Sequence, residues 1–167
     1  MEFDPIALQK AEAWLAAPIA DADKAVIRNW LKNEPATLNE AFYTDLEFGT
    51  GGLRGIMRMG SNGINKYTLG LATQGLANYL KASGVRTPKV AIAYDSRNQS
   101  DTLALEVAQV LTANQVEVLL YPALRPTPQL SFTVREFGCT AGIVLTASHN
   151  PKEYNGYKVY WSDGGQL

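Results

Sequence analysis

Three short apolar runs separated by helix-like segments are the feature that most constrains the fold of this chain. They occupy residues 89–94, 116–121 and 142–146 and are apolar almost throughout. Between them, apolar residues recur at intervals of three and four, as they do on one face of a helix. Buried strands that alternate with helices predict a parallel sheet with helices on both faces.

A fourth predicted strand, residues 156–161, does not fit the parallel pattern. Only nine residues separate it from Thr146, which is too few for a helical crossover. We therefore expect this strand to run antiparallel to its neighbour. The predicted fold class is a three-layer α/β/α domain with a mixed, mostly parallel sheet.

The first part of the chain predicts a helical arm in front of that domain. Apolar residues at helical spacing predict a helix over about residues 21–32. Thr37 and Glu40 have the spacing of a capping box, which predicts that a third, short helix begins there. We assign residues 1–47 to the helical N-terminal arm and residues 48–167 to the α/β domain.

Composition limits the classes of partner. The 167 residues suit one compact domain, and a net charge of −1 gives no electrostatic reason to expect a nucleic acid or an anionic membrane. Cys139 is the only cysteine, which excludes an internal disulfide and cysteine-rich metal motifs. No apolar run approaches the ~18 residues that span a bilayer, and Glu2 and Asp4 stand where a signal peptide has basic residues. We expect a cytoplasmic protein.

The most informative polar cluster follows the third apolar run. In open α/β sheets, ligands bind beyond the carboxyl ends of the strands. The loop at this place contains Thr146, Ser148, His149, Asn150 and Pro151. A hydroxyl beside imidazole and amide groups suits binding or transfer of a charged group, although the same residues are common in ordinary turns. A Ser-His-Asp hydrolase is disfavoured, because the Gly-x-Ser-x-Gly motif is missing and the only histidine is next to the serine.

Residues 49–55 form a glycine-rich segment that contains Thr50 and Arg54. Backbone N–H groups, a hydroxyl and a guanidinium within one short loop suit a phosphate. The segment is not a dinucleotide-binding motif, because Arg54 stands in place of the third glycine, and it lacks the Gly-Lys-Ser/Thr of a P-loop. A flexible turn with a surface arginine explains it equally well.

Charged residues near two other strands have both a structural and a functional interpretation. Asp95 and Arg97 follow the first apolar run, and a structural ion pair at the end of the strand is the interpretation we favour. Lys158 lies on the last predicted strand, close in sequence to Ser148. Taken alone, it is interpreted as a solvated lysine.

Five motifs in order along the chain resemble those of the α-D-phosphohexomutases, the phosphoglucomutase and phosphomannomutase family. They are Phe48-Gly49-Thr50-Gly51-Gly52-Leu53-Arg54-Gly55, Tyr94-Asp95-Ser96-Arg97, Thr127-Pro128, Thr146-Ala147-Ser148-His149-Asn150-Pro151 and Tyr154-Asn155-Gly156-Tyr157-Lys158. The resemblance extends from about residue 48 to the end of the chain. The helical arm is similar, less specifically, to that of the longer bacterial phosphoglucomutases.

The resemblance implies a mechanism and a role for each candidate residue. Ser148 would carry a phosphoryl group, pass it to a hexose monophosphate, and regain a phosphate from the hexose 1,6-bisphosphate that results. Arg54 and Lys158 would neutralise charge, His149 would donate hydrogen bonds or transfer protons, and Thr50 would lie near the bound sugar phosphate. Mg²⁺ would bind the phosphoryl group on Ser148, which makes this residue a metal site as well.

The resemblance covers only the first of the family's four domains. The metal loop, sugar-recognition loop and phosphate-binding loop of the other domains are not in this sequence. We therefore expect a phosphoglucomutase/phosphomannomutase fragment that is inactive alone and whose partners are the phosphosugar and the missing domains. The alternative is a non-catalytic module that binds phosphosugars or other anions.

Overall fold

Residues 2–167, which the computed structural model describes, form six helices and one five-stranded sheet. The helices are α1 (Pro5–Ala16), α2 (Asp21–Asn33), α3 (Pro35–Phe42), α4 (Lys66–Ala82), α5 (Ser100–Ala113) and α6 (Thr127–Glu136). The strands are β1 (Leu53–Ile56), β2 (Lys89–Tyr94), β3 (Glu117–Leu120), β4 (Ala141–Leu145) and β5 (Tyr154–Trp161).

The sheet is mixed, as the sequence predicts. The spatial order of its strands is β1-β5-β4-β2-β3. Strand β2 pairs in parallel with both β3 and β4, whereas β5 is antiparallel to β4 and to β1. Four strands therefore point in one direction and only β5 is reversed, because the short connection from β4 leaves no room for a crossover helix.

Helices cover both faces of the sheet, which confirms the three-layer α/β/α prediction. Along β2, Val90, Ile92 and Tyr94 belong to the core beneath α4 and α5. Ala91 and Ala93 face the other way and pack with α6. Both sets are buried because successive side chains of a strand point to opposite faces, so a strand covered on both sides is apolar at every position.

Strand β1 is the element that the sequence pattern did not predict. It has only four residues and lies within the glycine-rich stretch, where no apolar alternation marks a strand. Its existence depends on β5, with which it pairs through Leu53 opposite Tyr157 and Arg54 opposite Gly156.

The three N-terminal helices pack around an apolar cluster of their own. The fully buried side chains in it are those of Ala7, Ala11, Ile27, Leu38, Ala41 and Phe42. The predicted start of the third helix is wrong: α3 begins at Pro35, and Thr37 instead donates a hydrogen bond to Glu34 at 3.2 Å. Proline is favoured at the first helical position, where no N–H donor is needed. The boundary predicted at residues 47 and 48 stays a prediction.

Polar contacts attach this helical cluster to α4. The Lys66 ammonium lies 2.9 Å from the Asp23 carboxylate, and the Tyr67 hydroxyl donates to the same carboxylate at 2.6 Å. The Trp14 ring packs edge-on against the Tyr67 ring, with 5.7 Å between centroids. No helix within residues 2–167 has the length and apolar character needed to cross a membrane.

Tyr157 joins β5 to α4 from within the core. Its side chain is fully buried, and its hydroxyl lies 3.2 Å from the Thr73 hydroxyl. Burial raises the pKa of the Tyr157 phenol far above its ordinary value, although the hydrogen bond with Thr73 acts in the opposite direction. The neutral phenol therefore anchors β5 against the helix layer.

Gly142 tests how tightly β4 packs against α6. A methyl group at this position would lie 2.5 Å from the Val134 side chain and 3.3 Å from that of Leu130. We expect Gly142→Ala to lower the free energy of unfolding by about 1–3 kcal/mol, because core overpacking has that effect. Urea unfolding of the 167-residue chain measures it.

Gly70, within α4, supplies the matched control. A methyl group there meets no atom within 4 Å, so Gly70→Ala should raise the stability by about 0.5–1 kcal/mol through helix propensity. Equal effects of the two substitutions would contradict the packing that we describe.

Candidate functional site

The candidate site lies where β2 and β4 end side by side. Tyr94 pairs with Leu145 at the last position of the two parallel strands. Asp95 and Thr146 are consequently neighbours at the carboxyl edge of the sheet. The reversed strand β5 begins at the same edge, and its Gly156 carbonyl accepts a hydrogen bond of 3.1 Å from the Thr146 N–H.

A polar network centred on the partly exposed Asp95 carboxylate links these segments. The Asp95 carboxylate accepts hydrogen bonds from the hydroxyls of Thr146, at 2.5 Å, and Ser100, at 3.3 Å. The Ser100 hydroxyl in turn accepts one of 2.9 Å from the Asn155 amide. Ser100 and Asn155 are fully buried and Thr146 nearly so. One carboxylate thus joins the end of β2, the loop after β4 and the start of β5.

Ser148 is displayed at this edge in a conformation that is unusual for serine. Its φ of 55° lies in the left-handed region, which L-residues other than glycine disfavour by about 1–2 kcal/mol. Its N–H donates to the Thr146 hydroxyl at 2.9 Å. The side chain is exposed, and its Oγ lies 3.5 Å from Nδ1 of the exposed His149. The hydroxyl is therefore available to a reactant from solution.

The Arg97 guanidinium lies beneath the loop that carries Ser148. Its Nη1 and Nη2 atoms donate to four backbone carbonyl oxygens. These are the oxygens of Ser148 at 2.6 Å, Asn150 at 2.8 Å, and Pro151 and Tyr154 at 2.9 Å each. The predicted ion pair with Asp95 is present but long, at 3.7 Å from Nε to Oδ2. The carbonyls, not the carboxylate, are the principal partners of this arginine.

The glycine-rich segment lies against β5 and comes close to the Ser148 loop. Gly49 and Gly52 exchange backbone hydrogen bonds of 3.2 and 2.9 Å, which close a tight turn with Thr50 at its exposed tip. Gly52 has a φ of 91°, and a methyl group on it would lie 2.3 Å from the Tyr157 carbonyl oxygen. Only glycine allows this turn to lie against β5.

Arg54 and Lys158, the two predicted cations, lie at different distances from the Ser148 loop along the sheet. Arg54, opposite Gly156, donates through Nη1 to the Asn150 side chain at 3.1 Å and so contacts the Ser148 loop directly. Lys158 lies farther along β5, opposite Val144. Within residues 2–167 neither cation forms an ion pair, which leaves both charges free for an anion. His149 is part of the Ser148 loop and Arg54 donates a hydrogen bond to it, whereas among the described residues the side chains of Thr50 and Lys158 form no hydrogen bond with this loop.

Several residues that build the site were not identified from the sequence. Ser100 and Asn155 carry no chemical signature, and their contribution depends on contacts between distant segments. An open pocket of about 320 Å³ beside Ser148 is lined by Asp95–Asn98, Asn150 and Lys152. In the described part of the chain, no group of three or more His, Cys, Asp or Glu side chains could hold a metal ion.

Thr146 tests the network, because its hydroxyl both donates to Asp95 and accepts from the Ser148 N–H. We expect Thr146→Val to lower the free energy of unfolding by about 1–3 kcal/mol, because two partly buried hydrogen bonds are lost and one of them is to a carboxylate. Urea unfolding of the 167-residue chain measures the change. The exposed Thr102 provides the control, and Thr102→Val should alter stability by no more than about 0.5 kcal/mol. Indistinguishable stabilities of the two variants would contradict a structural role for the Thr146 hydroxyl.

Comparisons with known proteins agree with this architecture. Residues 45–167 match the family model of the phosphoglucomutase/phosphomannomutase alpha/beta/alpha domain I. A phosphoglucomutase of Staphylococcus haemolyticus (strain JCSC1435) is 42% identical over 146 residues, which are 87% of this chain and 26% of that protein. A phosphoglucomutase of Staphylococcus aureus (strain USA300) is 40% identical over 163 residues, or 97% of this chain and 29% of that protein.

Solved structures give the same result. A crystal structure described as that of a phosphomannomutase from Thermus thermophilus aligns with a TM-score of 0.68 and 31% identity over 74% of this chain and 27% of that one. The open form of parafusin, a phosphoglucomutase from Paramecium, aligns with a TM-score of 0.63 and 27% identity over 74% of this chain and 24% of that one. The chain spans less than a third of the length of these curated relatives. Together with the fold, these matches confirm the resemblance: the chain belongs to the phosphoglucomutase/phosphomannomutase family and contains its alpha/beta/alpha domain I.

Proposed function

We propose that this chain is the part of a phosphohexose mutase that carries the phosphoryl group, and that Ser148 is the carrier. The observation on which the proposal rests is the exposed Ser148 hydroxyl, held in a left-handed backbone conformation at the carboxyl edge of the sheet. Strained residues at such positions are concentrated at functional sites, and ligands of open α/β sheets bind at this edge. The phosphoglucomutases among the relatives support the class of reaction.

The proposed reaction consists of two phosphoryl transfers, one from Ser148 to the sugar and one from the sugar to Ser148. A hydroxyl of the hexose monophosphate attacks the phosphorus on Ser148, the bond from phosphorus to Ser148 Oγ breaks, and hexose 1,6-bisphosphate is released to turn around. Ser148 Oγ then attacks the other phosphorus and the second hexose monophosphate leaves. Each attacking hydroxyl loses a proton and each leaving oxygen gains one, so phosphate is conserved and the net change is isomerisation between 1-phosphate and 6-phosphate.

Charge and position support these roles. Phosphoryl transfer depends mainly on alignment of the reacting atoms and on neutralisation of negative charge. Arg54 contacts the Ser148 loop and has no acidic partner among the described residues, so we assign it to the phosphate. Lys158 and Thr50 are proposed to bind the sugar phosphate from the β5 side. His149, with Nδ1 at 3.5 Å from Ser148 Oγ, is proposed to donate to the phosphoryl group or to relay the proton.

The proposed Mg²⁺ fits the donor atoms of this chain in part. Mg²⁺ prefers oxygen ligands, and a phosphoryl group on the exposed Ser148 would present them. The Asp95 carboxylate is already bound by Thr146 and Ser100, and residues 2–167 hold no cluster of metal-binding side chains. We therefore assign one ligand to the phosphoryl group of Ser148 and the others to residues outside this chain. Bound there, the ion would withdraw negative charge from the phosphoryl oxygens.

The remaining parts of the proposal concern residues beyond this chain. Because the chain spans 29% of the Staphylococcus aureus relative, we propose that the other domains supply sugar recognition and that the 167 residues alone have no mutase activity. Hexose 1,6-bisphosphate is proposed as the activator that phosphorylates Ser148. The alternative is a module that binds phosphosugars without turnover, and the experiment below distinguishes it from a mutase.

Ser148→Ala tests the proposal in the intact gene product that contains this sequence. A coupled assay follows glucose 1-phosphate to glucose 6-phosphate with Mg²⁺ and glucose 1,6-bisphosphate. We expect Ser148→Ala to lower kcat by about a thousand-fold or more, because the variant has no atom to carry the phosphoryl group. Mass spectrometry should find a phosphoryl group on Ser148 of the wild type only.

The exposed Ser162, in the turn after β5, supplies the matched control, and Ser162→Ala should retain wild-type activity. Equal activity of Ser148→Ala and the wild type would overturn the assignment of Ser148. Phosphosugar binding without turnover of any hexose phosphate would favour the non-catalytic module.

A further inference from the structure

Arg97 is a largely buried cation whose environment calls for an explanation. Its side chain is 11% exposed. Its one carboxylate neighbour lies 3.7 Å from Nε, and Nε has no hydrogen-bond partner within the described residues. Removing a guanidinium from water is unfavourable unless other groups replace the lost hydration. Here the replacement is a set of four backbone carbonyls.

These carbonyls belong to residues 148–154, a segment that comprises most of the loop after β4 and the first residue of β5. Among the described residues, the segment and its flank form few backbone hydrogen bonds of their own, chiefly Asn150 to Ala147 and Tyr154 to Pro151, each 3.0 Å long. The negative ends of four carbonyl dipoles converge on Arg97. Without a cation at their centre these dipoles would repel one another, so the shape of the segment depends on the guanidinium.

Arg97 constrains Ser148 specifically, because it holds one of the two peptide planes that flank this residue while Thr146 holds the other. The plane before Ser148 is fixed through its N–H, which donates to the Thr146 hydroxyl at 2.9 Å. The plane after it is fixed through its carbonyl oxygen, which accepts from Arg97 Nη2 at 2.6 Å. Two fixed planes determine φ and ψ of the residue between them, and the disfavoured φ of 55° is maintained. Only the side-chain torsion of Ser148 remains free.

We propose that Arg97 is a positioning residue for phosphoryl transfer, which acts by holding the Ser148 carbonyl and the backbone that follows it, and not by binding the phosphate. The role in transfer rests on the proposed function of Ser148. The hydrogen bonds of Nη1 and Nη2 are directed to the loop, and the unpaired Nε is buried and faces Asp95, so the guanidinium has no accessible donor for a substrate. The planar fork is required, because a lysine ammonium places its donors on a single nitrogen.

The test compares Arg97→Ala and Arg97→Lys with wild type in the intact gene product. Arg86→Ala is the control, since Arg86 is exposed and has no side-chain hydrogen bond or ion pair with another described residue. We expect both Arg97 variants to lower kcat by about a hundred-fold, the size of effect expected from a misplaced reacting group. KM for glucose 1-phosphate should change little. Millimolar guanidinium chloride should restore part of the activity of Arg97→Ala, and neither sodium chloride nor urea should do so.

Hydrogen exchange provides a readout that does not require activity. The amides of Ser148 and Asn150 should exchange faster in both Arg97 variants than in wild type, and guanidinium should slow them again in Arg97→Ala. The amides of α1–α3 should be unaffected. If Arg97→Ala does not fold, the test rests on kcat and amide exchange of Arg97→Lys, which keeps the charge and an aliphatic stem.

The outcomes distinguish a failure of the positioning role of Arg97 from a failure of the proposal that Ser148 carries the phosphoryl group. Wild-type kcat in Arg97→Lys, unchanged exchange of the Ser148 loop, or a raised KM with unchanged kcat would each overturn the positioning role. A wild type that turns over no hexose phosphate would overturn the mutase proposal. In that case, faster exchange of the Ser148 loop in the Arg97 variants would still support the structural part of the inference, and unchanged exchange would overturn it.

Discussion

The parallel pairing of β2 with β4 is the constraint on which the candidate site depends. Because Tyr94 and Leu145 are paired, the residues that follow them meet, and the Thr146 hydroxyl reaches the Asp95 carboxylate at 2.5 Å. A hydrogen bond to a carboxylate within a shielded region is stronger than one between neutral groups. The loop that carries Ser148 is therefore anchored to the neighbouring strand at its first residue.

Strand β5 adds the second boundary of the site. It returns antiparallel to β4 and places Asn155 against Ser100 and Arg54 opposite Gly156. The loop after β4 is thus closed by a strand instead of leading into a crossover helix. Its carbonyls face inward toward Arg97, while the Ser148 and His149 side chains remain exposed. The loop combines a backbone held by hydrogen bonds with an accessible hydroxyl, an arrangement that suits the phosphoryl transfer proposed for Ser148.

Fold class was predictable because it depends on local pattern. Continuous apolar strands separated by amphipathic helices predict α/β layers, and a connection too short for a helix predicts the reversed β5; both are confirmed. The start of α3 was mispredicted because Thr37 and Glu40 have a capping-box spacing, but Pro35 is favoured at the first helical position. Strand β1 was missed because a four-residue strand at a sheet edge is defined by its partner, not by its own sequence.

By itself, the sequence determined the order and the type of most elements, and it placed Ser148 and His149 at the carboxyl end of a buried strand. Its glycine-rich segment indicated Arg54 and Thr50 as candidates for a phosphate site, whereas Lys158 became a candidate only through the resemblance to the family; these roles remain proposals. Only the tertiary structure decided which side chains meet. It shows that Arg97 binds four carbonyls more closely than it binds Asp95, and that Ser100 and Asn155 complete the network. The reason is physical: hydrophobic periodicity is a property of neighbouring residues, whereas a hydrogen bond between residues about fifty positions apart depends on strand register and distance, which no local pattern specifies.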